Sequence, residues 1–431
     1  MRIRLVHVLV LVLGGGVTLS LIHGQTPPEP PPVPTPAPVG RPAPVPPATQ
    51  PAAPVKVPQR DTSKYTPLQL QMYLSAQRAA DWLYRMNGVK GRFLYGFEPT
   101  LRLPIDGDSS ARQIAAAMAL AHAARFTGEE RYAVRATQAI LALLDETILS
   151  PDDPQVRHPA LPSSVINRLG TAGLLVAAIH ALPAPQTDLL EKSEQLCNYI
   201  RRQVREDGTL RCDDADKKDA DTVEAISTYP PQALLGLVRS QKLRPAAWKL
   251  KVARKAMAAY RPWWRDHKNL TFVPTATTVC VEAYMLGKDA LLAEFVGEMN
   301  DWLCGLQYDQ IEARRELWFG GFMNYADGHK VESAPDIGSA PLARSLAAAS
   351  RLARTAGDID RHQRYTDTLE RALQFVTTLQ YSDASTQHFA HWYRARLVGA
   401  FHPSHADGNL RIDYTEQALT AMLGYLEDVE K

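Results

Sequence analysis

AAAMALAHAARFTGEERYAVRATQAILALLDE, residues 115–146, decides the fold. Its first ten residues are small and apolar on every side, whereas residues 129–146 carry charge on one face only. A helix apolar all round must be buried, and a helix with a charged stripe borders water. The same pairing recurs along the chain. TAGLLVAAIHAL (171–182), QALLGLV (232–238), TTVCVEAYML (277–286), ARSLAAAS (343–350) and QALTAMLGYL (417–426) repeat the first kind. DLLEKSEQLCNYIRRQV (188–204) and RHQRYTDTLERALQFV (361–376) repeat the second. Six buried helices alternating with six half-exposed ones predict an inner ring inside an outer ring. The fold class is therefore all-α, an (α/α)6 toroid. The first helix, 66–86, is of the outer kind and the last, 413–430, of the inner kind, so the chain ends are expected to pack together and close the ring.

The turns within each pair are short: FTGEERY (126–132), LGKDALL (286–292) and TAGDIDRHQRY (355–365). A Gly or polar break followed by acidic residues closes one helix and caps the next. The connections from outer to inner helix are long: 87–109, 147–163, 205–221, 262–275, 307–339 and 380–412. All six fall on one rim. FLYGFEP (93–99), WFGGFMNYADG (318–328) and LVGAFHPSHADG (397–408) resemble one another, the last two sharing Gly-x-Phe and then Ala-Asp-Gly. They read as short strands turning at Asp-Gly over the cavity mouth.

Outside this repeat the chain changes character. Residues 1–24 pair two arginines with a long apolar run and then small residues, an export signal or, uncleaved, a signal anchor. No cysteine lies near it, which excludes a lipid anchor on cysteine. Residues 25–60 hold about half of the 32 prolines and form a stiff, disordered linker. Residues 61–431 are one domain, large enough to bury a core. The chain is thus expected to be exported: periplasmic, extracellular, or anchored facing outward through residues 5–22. Net charge is +2, from 48 basic and 46 acidic residues, with no basic field for nucleic acid. Of the four cysteines, Cys280 and Cys304 on paired helices are offset by roughly 13 Å, at about 1.5 Å per residue. That is beyond the ~7 Å reach of a disulfide. Cys280 is therefore expected to be a buried thiol, while Cys197 and Cys212 bracket one helix end and could pair.

The hairpin order over residues 66–430, with RFLYGFEP (92–99), FTGEERY (126–132) and RIDYTEQAL (411–419), resembles the α/α-toroid superfamily. Its members include six-hairpin glycosidases, the N-acylglucosamine 2-epimerase group, glycan lyases and uronyl epimerases, and terpenoid cyclases and prenyltransferases. The resemblance implies a substrate cavity lined by inner-helix N-termini and rim loops. Asp219-Ala220-Asp221-Thr222 is similar to the DxDD acid motif of squalene-type cyclases, with threonine in place of the second adjacent aspartate. That departure counts against cyclase chemistry.

Carboxylates gather where inner helices begin. Asp221 and Glu224, Asp336, and Asp413 and Glu416 could supply the paired acids of glycoside hydrolysis. Asp221-x-x-Glu224, Asp413-x-x-Glu416 and Ser110-x-x-Gln113 also fit capping boxes. A helix N-terminus favours the ionised carboxylate, so the proton donor is expected in a loop, at Asp336 or His402. His388, His391, His402 and His405, beside Asp407, are spaced as a metal set could be, but His402 or His405 reads rather as a rim acid or substrate contact, and no cofactor motif is found. The long loops carry many aromatics. Trp318, beside Gly320-Gly321, is the candidate stacking platform for a sugar. Arg112, Asn167 and Arg168, with Tyr229 and Tyr414, supply what a lyase or epimerase needs: groups that neutralise a carboxylate and groups that move a proton. The catalytic candidates are therefore Asp221, Asp413, Asp336 and His402, and the substrate-binding candidates Trp318, Arg112, Asn167, Tyr229 and Tyr414. The function read from the chain is an exported protein acting on a glycan or other small substrate in the toroid cavity, by hydrolase-like acid–base chemistry or a lyase or epimerase variant. The alternatives are a non-catalytic toroid that binds glycan or protein, and a degenerate terpenoid cyclase- or prenyltransferase-like scaffold.

Overall fold

The computed structural model describes residues 61–213 and 221–429. Residues 1–24, expected to be an export signal or anchor, the proline-rich residues 25–60 and Asp219 lie outside the described residues. Six inner helices are α2 (Ser110–Thr127), α4 (Arg168–Ile179), α6 (Val223–Ser240), α8 (Phe272–Gly287), α10 (Ser339–Ala356) and α13 (Ile412–Val429). Six outer helices are α1 (Pro67–Met86), α3 (Glu130–Leu144), α5 (Thr187–Arg202), α7 (Ala247–Asp266), α9 (Ala290–Cys304) and α11 (Ile359–Thr378). A single turn, α12 (His391–Arg394), interrupts the last long loop. Each inner helix packs on the next, and α13 packs back on α2, so the inner ring is closed.

Burial follows the alternation in the sequence. Every residue of α4 from Leu169 to Ile179 is buried. In α3 the buried residues Tyr132, Ala136, Ala139, Ile140 and Leu143 form one stripe, and the charged face points outward. The short turns are as their sequences suggest. Gly128 and Gly357 take left-handed caps, and Asp289 and Asp358 cap the helices that follow. At the third turn the left-handed residue is Lys288 rather than the neighbouring glycine.

Strands are confined to the rim. β3 (Thr147–Ser150) and β4 (Asp153–Pro159) form one hairpin. β5 (Asn324–Ala326) and β6 (His329–Val331) form another that turns at Asp327-Gly328, both with positive φ. β1 (Gly96–Glu98) pairs with β2 (Leu103–Pro104) and with β7 (Leu410–Arg411), joining the first long loop to the last. Together with the α1–α13 contact this closes the ring across the chain ends. Trp82 of α1 donates its indole N–H to the Arg396 carbonyl at 2.8 Å, and Gln380 donates to the Ser75 carbonyl at 3.0 Å.

The Gly-x-Phe resemblance has a packing cause. Gly320 and Gly399 have φ of +87° and +98°. A Cβ on them would lie 2.2 Å from the carbonyl oxygens of Arg371 and Arg78 on the neighbouring outer helices. Two residues on, buried Phe322 and Phe401 donate their backbone N–H to Ser339 Oγ (3.3 Å) and Thr415 Oγ1 (3.1 Å), at the starts of α10 and α13. Phe93 is held the same way by Gln113, which accepts from its N–H at 2.8 Å and donates to its carbonyl at 2.9 Å. Each loop is pinned between an outer helix and the next inner helix.

Several local expectations are corrected. Gln113 clamps Phe93 rather than forming a capping box with Ser110, because the N-cap is Ser109 and its side chain makes no cap bond. The connection 262–275 shrinks to five residues, 267–271, because α7 continues through Pro262 to Asp266. Trp264 is accordingly a core residue packed edge-on against Phe295 and Trp302. Cys197 and Cys212 are both free and buried. Cys197 sits against Ser240 Oγ at 3.5 Å, whereas Cys212 lies in a rim loop with Asp221. Cys280 is a buried free thiol in α8, and burial pushes its pKa up.

Candidate functional site

The N-terminal halves of the inner helices surround an open cavity of about 650 Å³. Its charged and amide side chains include Arg112 of α2, Gln232 of α6, Asp336 just before α10, Arg344 of α10, and Asp413 and Glu416 of α13. Pro230 and Pro231 within α6 remove the N–H donors that would close onto the carbonyls of Ile226 and Ser227, and Ser227 lines the wall. Among the described residues Phe322 is the one aromatic ring in the lining. This is not the aromatic, apolar tunnel that cyclase chemistry needs. A second pocket of about 540 Å³ shares Ala111 and Gln232 with the cavity and extends it past Asn167 and Tyr229.

The carboxylates differ in how they are held. Asp413 is 7% exposed and accepts a two-pronged bond from Arg411, at 2.7 and 2.9 Å. Arg112 Nε lies 3.1 Å from its Oδ2, which thus meets both guanidinium groups. Arg112 also bonds the Tyr95 hydroxyl, and Arg411 stacks on the Tyr414 ring at 4.3 Å. Both oxygens of Asp413 are therefore occupied by guanidinium groups. Glu416, one turn later, is 3% exposed, and its Oε1 has no hydrogen-bond partner among the described residues. Arg344 approaches it only to 3.9 Å. Burial, with help from the Asp413 charge and against the pull of Arg344, pushes the Glu416 pKa up to about 7. Asp336 is exposed to the cavity, and its Oδ1 accepts from the Gly338 N–H at 2.8 Å in its own turn.

Asp413, Asp336 and Arg112 are thus brought to one cavity. Asn167 and Tyr229 line its side pocket, where Asn167 also caps α4 by accepting from Gly170 N–H at 2.9 Å. The remaining candidates sit elsewhere. Asp221 is absent from the lining: it bonds Arg205 and accepts from Cys212 N–H at 3.2 Å, while Thr222 caps α6 in its place. Burial opposes its ionisation, but these donors outweigh it and hold its pKa low. His402 is turned toward Tyr381 and the Ser404 carbonyl, 2.8 Å from Nδ1. Burial lowers its pKa, against the Ser404 carbonyl. Its neighbour Pro403 accepts from Ile337 N–H at 2.8 Å, tying this loop to the one that carries Asp336. Tyr414 stacks under Arg411 outside the lining. Trp318 packs against Tyr308 and Arg315, also outside the lining, and the adjacent glycines serve loop packing rather than ligand approach.

Of the charged wall residues, Arg344 has no role in the sequence reading, and Glu416 is weighed there as a paired acid but not carried among the catalytic candidates. Glu416 was explained by its capping spacing. Arg344 is the second residue of the otherwise small and apolar string ARSLAAAS, and a charge on a helix that is buried all round must face a cavity or a partner.

No family model matches the chain, and no curated protein does. Solved structures do match. The cellobiose 2-epimerase of Bacillus thermoamylovorans superposes with a TM-score of 0.60 at 9% identity, over 84% of this chain and 99% of that one. The α-1,6-mannanase of Salegentibacter sp. gives 0.57 at 8%, over 83% and 99%. The unsaturated glucuronyl hydrolase of Streptococcus agalactiae gives 0.57 at 10%, over 84% and 93%. At such identities the likeness is one of fold, and the chain has the (α/α)6-toroid fold shared by these diverse carbohydrate-active enzymes.

Proposed function

We propose that the protein hydrolyses a glycosidic bond in the central cavity, with Glu416 as proton donor and Asp336 as the carboxylate that activates water. The observation that carries this reading is Glu416, a carboxyl group on the wall of an open polar cavity with its pKa pushed up to about 7. A general acid must hold its proton near neutral pH and give it up in the transition state. Asp336 is exposed to the same cavity and bonded only to its own turn, which suits a base. Asp413, engaged by Arg411 and Arg112, is a positioning group that fixes the start of α13 and raises the pKa of Glu416 by its charge. The side pocket past Asn167 and Tyr229 gives room for further sugar units. In this reading residues 1–24 export the chain, residues 25–60 tether the domain, and the glycan is met outside the cytoplasm.

The test is turnover of a panel of mannans, β-glucans and uronate-containing oligosaccharides, followed by release of reducing ends. Glu416→Gln and Asp336→Asn are each expected to lower kcat by roughly 10²–10⁴-fold with thermal unfolding unchanged. Asp221→Asn is expected to leave turnover intact. No turnover by the parent across the panel, with saturable binding of one of its members, would establish the non-catalytic glycan-binding reading instead.

A further inference from the structure

The central axis holds a second chamber. The C-terminal halves of the inner helices enclose about 170 Å³, separated from the front cavity by Met118 and Arg344, which line both. Its charge balance is one-sided. Arg125, Arg239, Lys242, Arg344 and Arg351 line it, against Glu282 and Glu427. Glu282 is already shared by Arg239 (3.1 Å) and Lys242 (3.0 Å), which hold its pKa near 2 against the effect of burial. Glu427 lies 2.8 Å from His122.

Helix ends do not account for this excess. A helix C-terminus attracts cations within its last turn, which covers Arg125 and Arg239. Arg344 and Arg351 lie in the body of α10, whose last turn is served by Arg354, bonded to Asp428 at 2.7 Å. Arg344 and Arg351 each present a buried Nε with no hydrogen-bond partner among the described residues, and so does Nδ1 of His180 on the same wall. Buried donors left unpaired cost about 1–3 kcal/mol each, more when charged. Two such guanidinium donors around one small chamber point to a ligand that accepts. Burial, then the nearby Lys249, Arg239, Arg244 and Lys242, drive the His180 pKa down to about 4, so the ring is neutral.

We infer that this rear chamber is a binding site for a small tetrahedral oxyanion, inorganic phosphate or sulfate, held by Arg351, Arg344 and Arg239. The volume corresponds to roughly five or six waters of the liquid, enough for such an ion. Arg344 lines both chambers, but the test of this site is separate from the reading of the front cavity, since its ligand and its assay involve no glycan.

Isothermal titration of the full chain with phosphate, at constant ionic strength set by chloride, tests it. Saturable binding is expected in the parent. Arg351→Gln should weaken it by about tenfold or more. Arg354→Gln, one turn away on the same helix but already paired, should stay within about twofold. Unfolding in chloride buffer checks that Arg351→Gln is folded, and if it is not, Arg239→Gln must show the loss instead. No saturable binding by the parent, binding by the folded Arg351→Gln protein equal to the parent's, or an equal loss in Arg354→Gln would each overturn the assignment.

Discussion

Glu416 sits where three influences compete. Burial disfavours its charge, Asp413 one turn earlier disfavours it further, and Arg344 at 3.9 Å is too distant to compensate fully. The consequence for stability has a definite sign. In the unfolded chain the group titrates near 4.5, and in the fold near 7. Below about 4.5 it is protonated in both states and carries no penalty. As pH rises from there to about 7, the unfolded form ionises while the folded one does not, so the fold loses stability, by on the order of 3 kcal/mol once pH exceeds 7. Glu416→Gln removes this titration. Any offset from changing the partner of Arg344 is the same at every pH. Urea unfolding of both proteins is therefore expected to show the variant gaining on the parent between pH 4.5 and pH 7.5. A stability difference that stays constant across that range would refute the assigned pKa. The sequence alone could not supply this number. Asp413-x-x-Glu416 is indistinguishable from a capping box until Arg411 and Arg112 are seen to occupy Asp413.

At the scale of elements, helices were legible and loops were half legible. Buried and half-buried helices differ in composition along their whole length, so periodicity identifies them. A loop is fixed by a few residues whose partners are distant in sequence. Gly-x-Phe was visible as a resemblance, but its cause, an outer-helix carbonyl 2.2 Å from a would-be Cβ, was not. This is why Trp318 beside Gly320 read as a sugar platform. Pro262 misled in the opposite direction: it reads as a helix end, yet α7 continues and buries Trp264 in the core. The pinned loops yield a contrast to measure. Gly320→Ala meets both an unfavourable φ and a backbone carbonyl, and is expected to destabilise by roughly 1–3 kcal/mol or more. Gly287→Ala, at the end of α8 with nothing within 4 Å, is expected to be neutral or to stabilise by about 0.4–1 kcal/mol. Denaturant midpoints giving the two substitutions equal effects would show that the loops are not held by these contacts.

For the whole molecule, the ring is closed in five hairpins by a short turn and in the sixth, α13 with α1, without a covalent turn. That last hairpin is reinforced by β1–β7 pairing on the long-loop rim and by the bonds from Trp82 and Gln380 to Arg396 and Ser75. If side-chain packing supplies the closure, which hairpin lacks its turn should be immaterial. A permuted chain tests this: residue 429 is joined to residue 61 through a flexible linker, and the chain is opened between Gly128 and Glu129. Gly128 keeps its N–H bond to the Ala124 carbonyl at 2.8 Å, and the side chain of Glu129 makes no cap bond to lose. Surface turns that contribute few bonds are where permutation succeeds. The permutant is expected to unfold in one cooperative transition with the denaturant slope of the native order, because the surface buried is the same. Its α2–α3 pair would then be held as α13 and α1 are now. A permutant that stays unfolded, or that loses cooperativity, would mean that the covalent turn between α2 and α3 is needed and that closure by packing at α13–α1 depends on interactions this pair does not share.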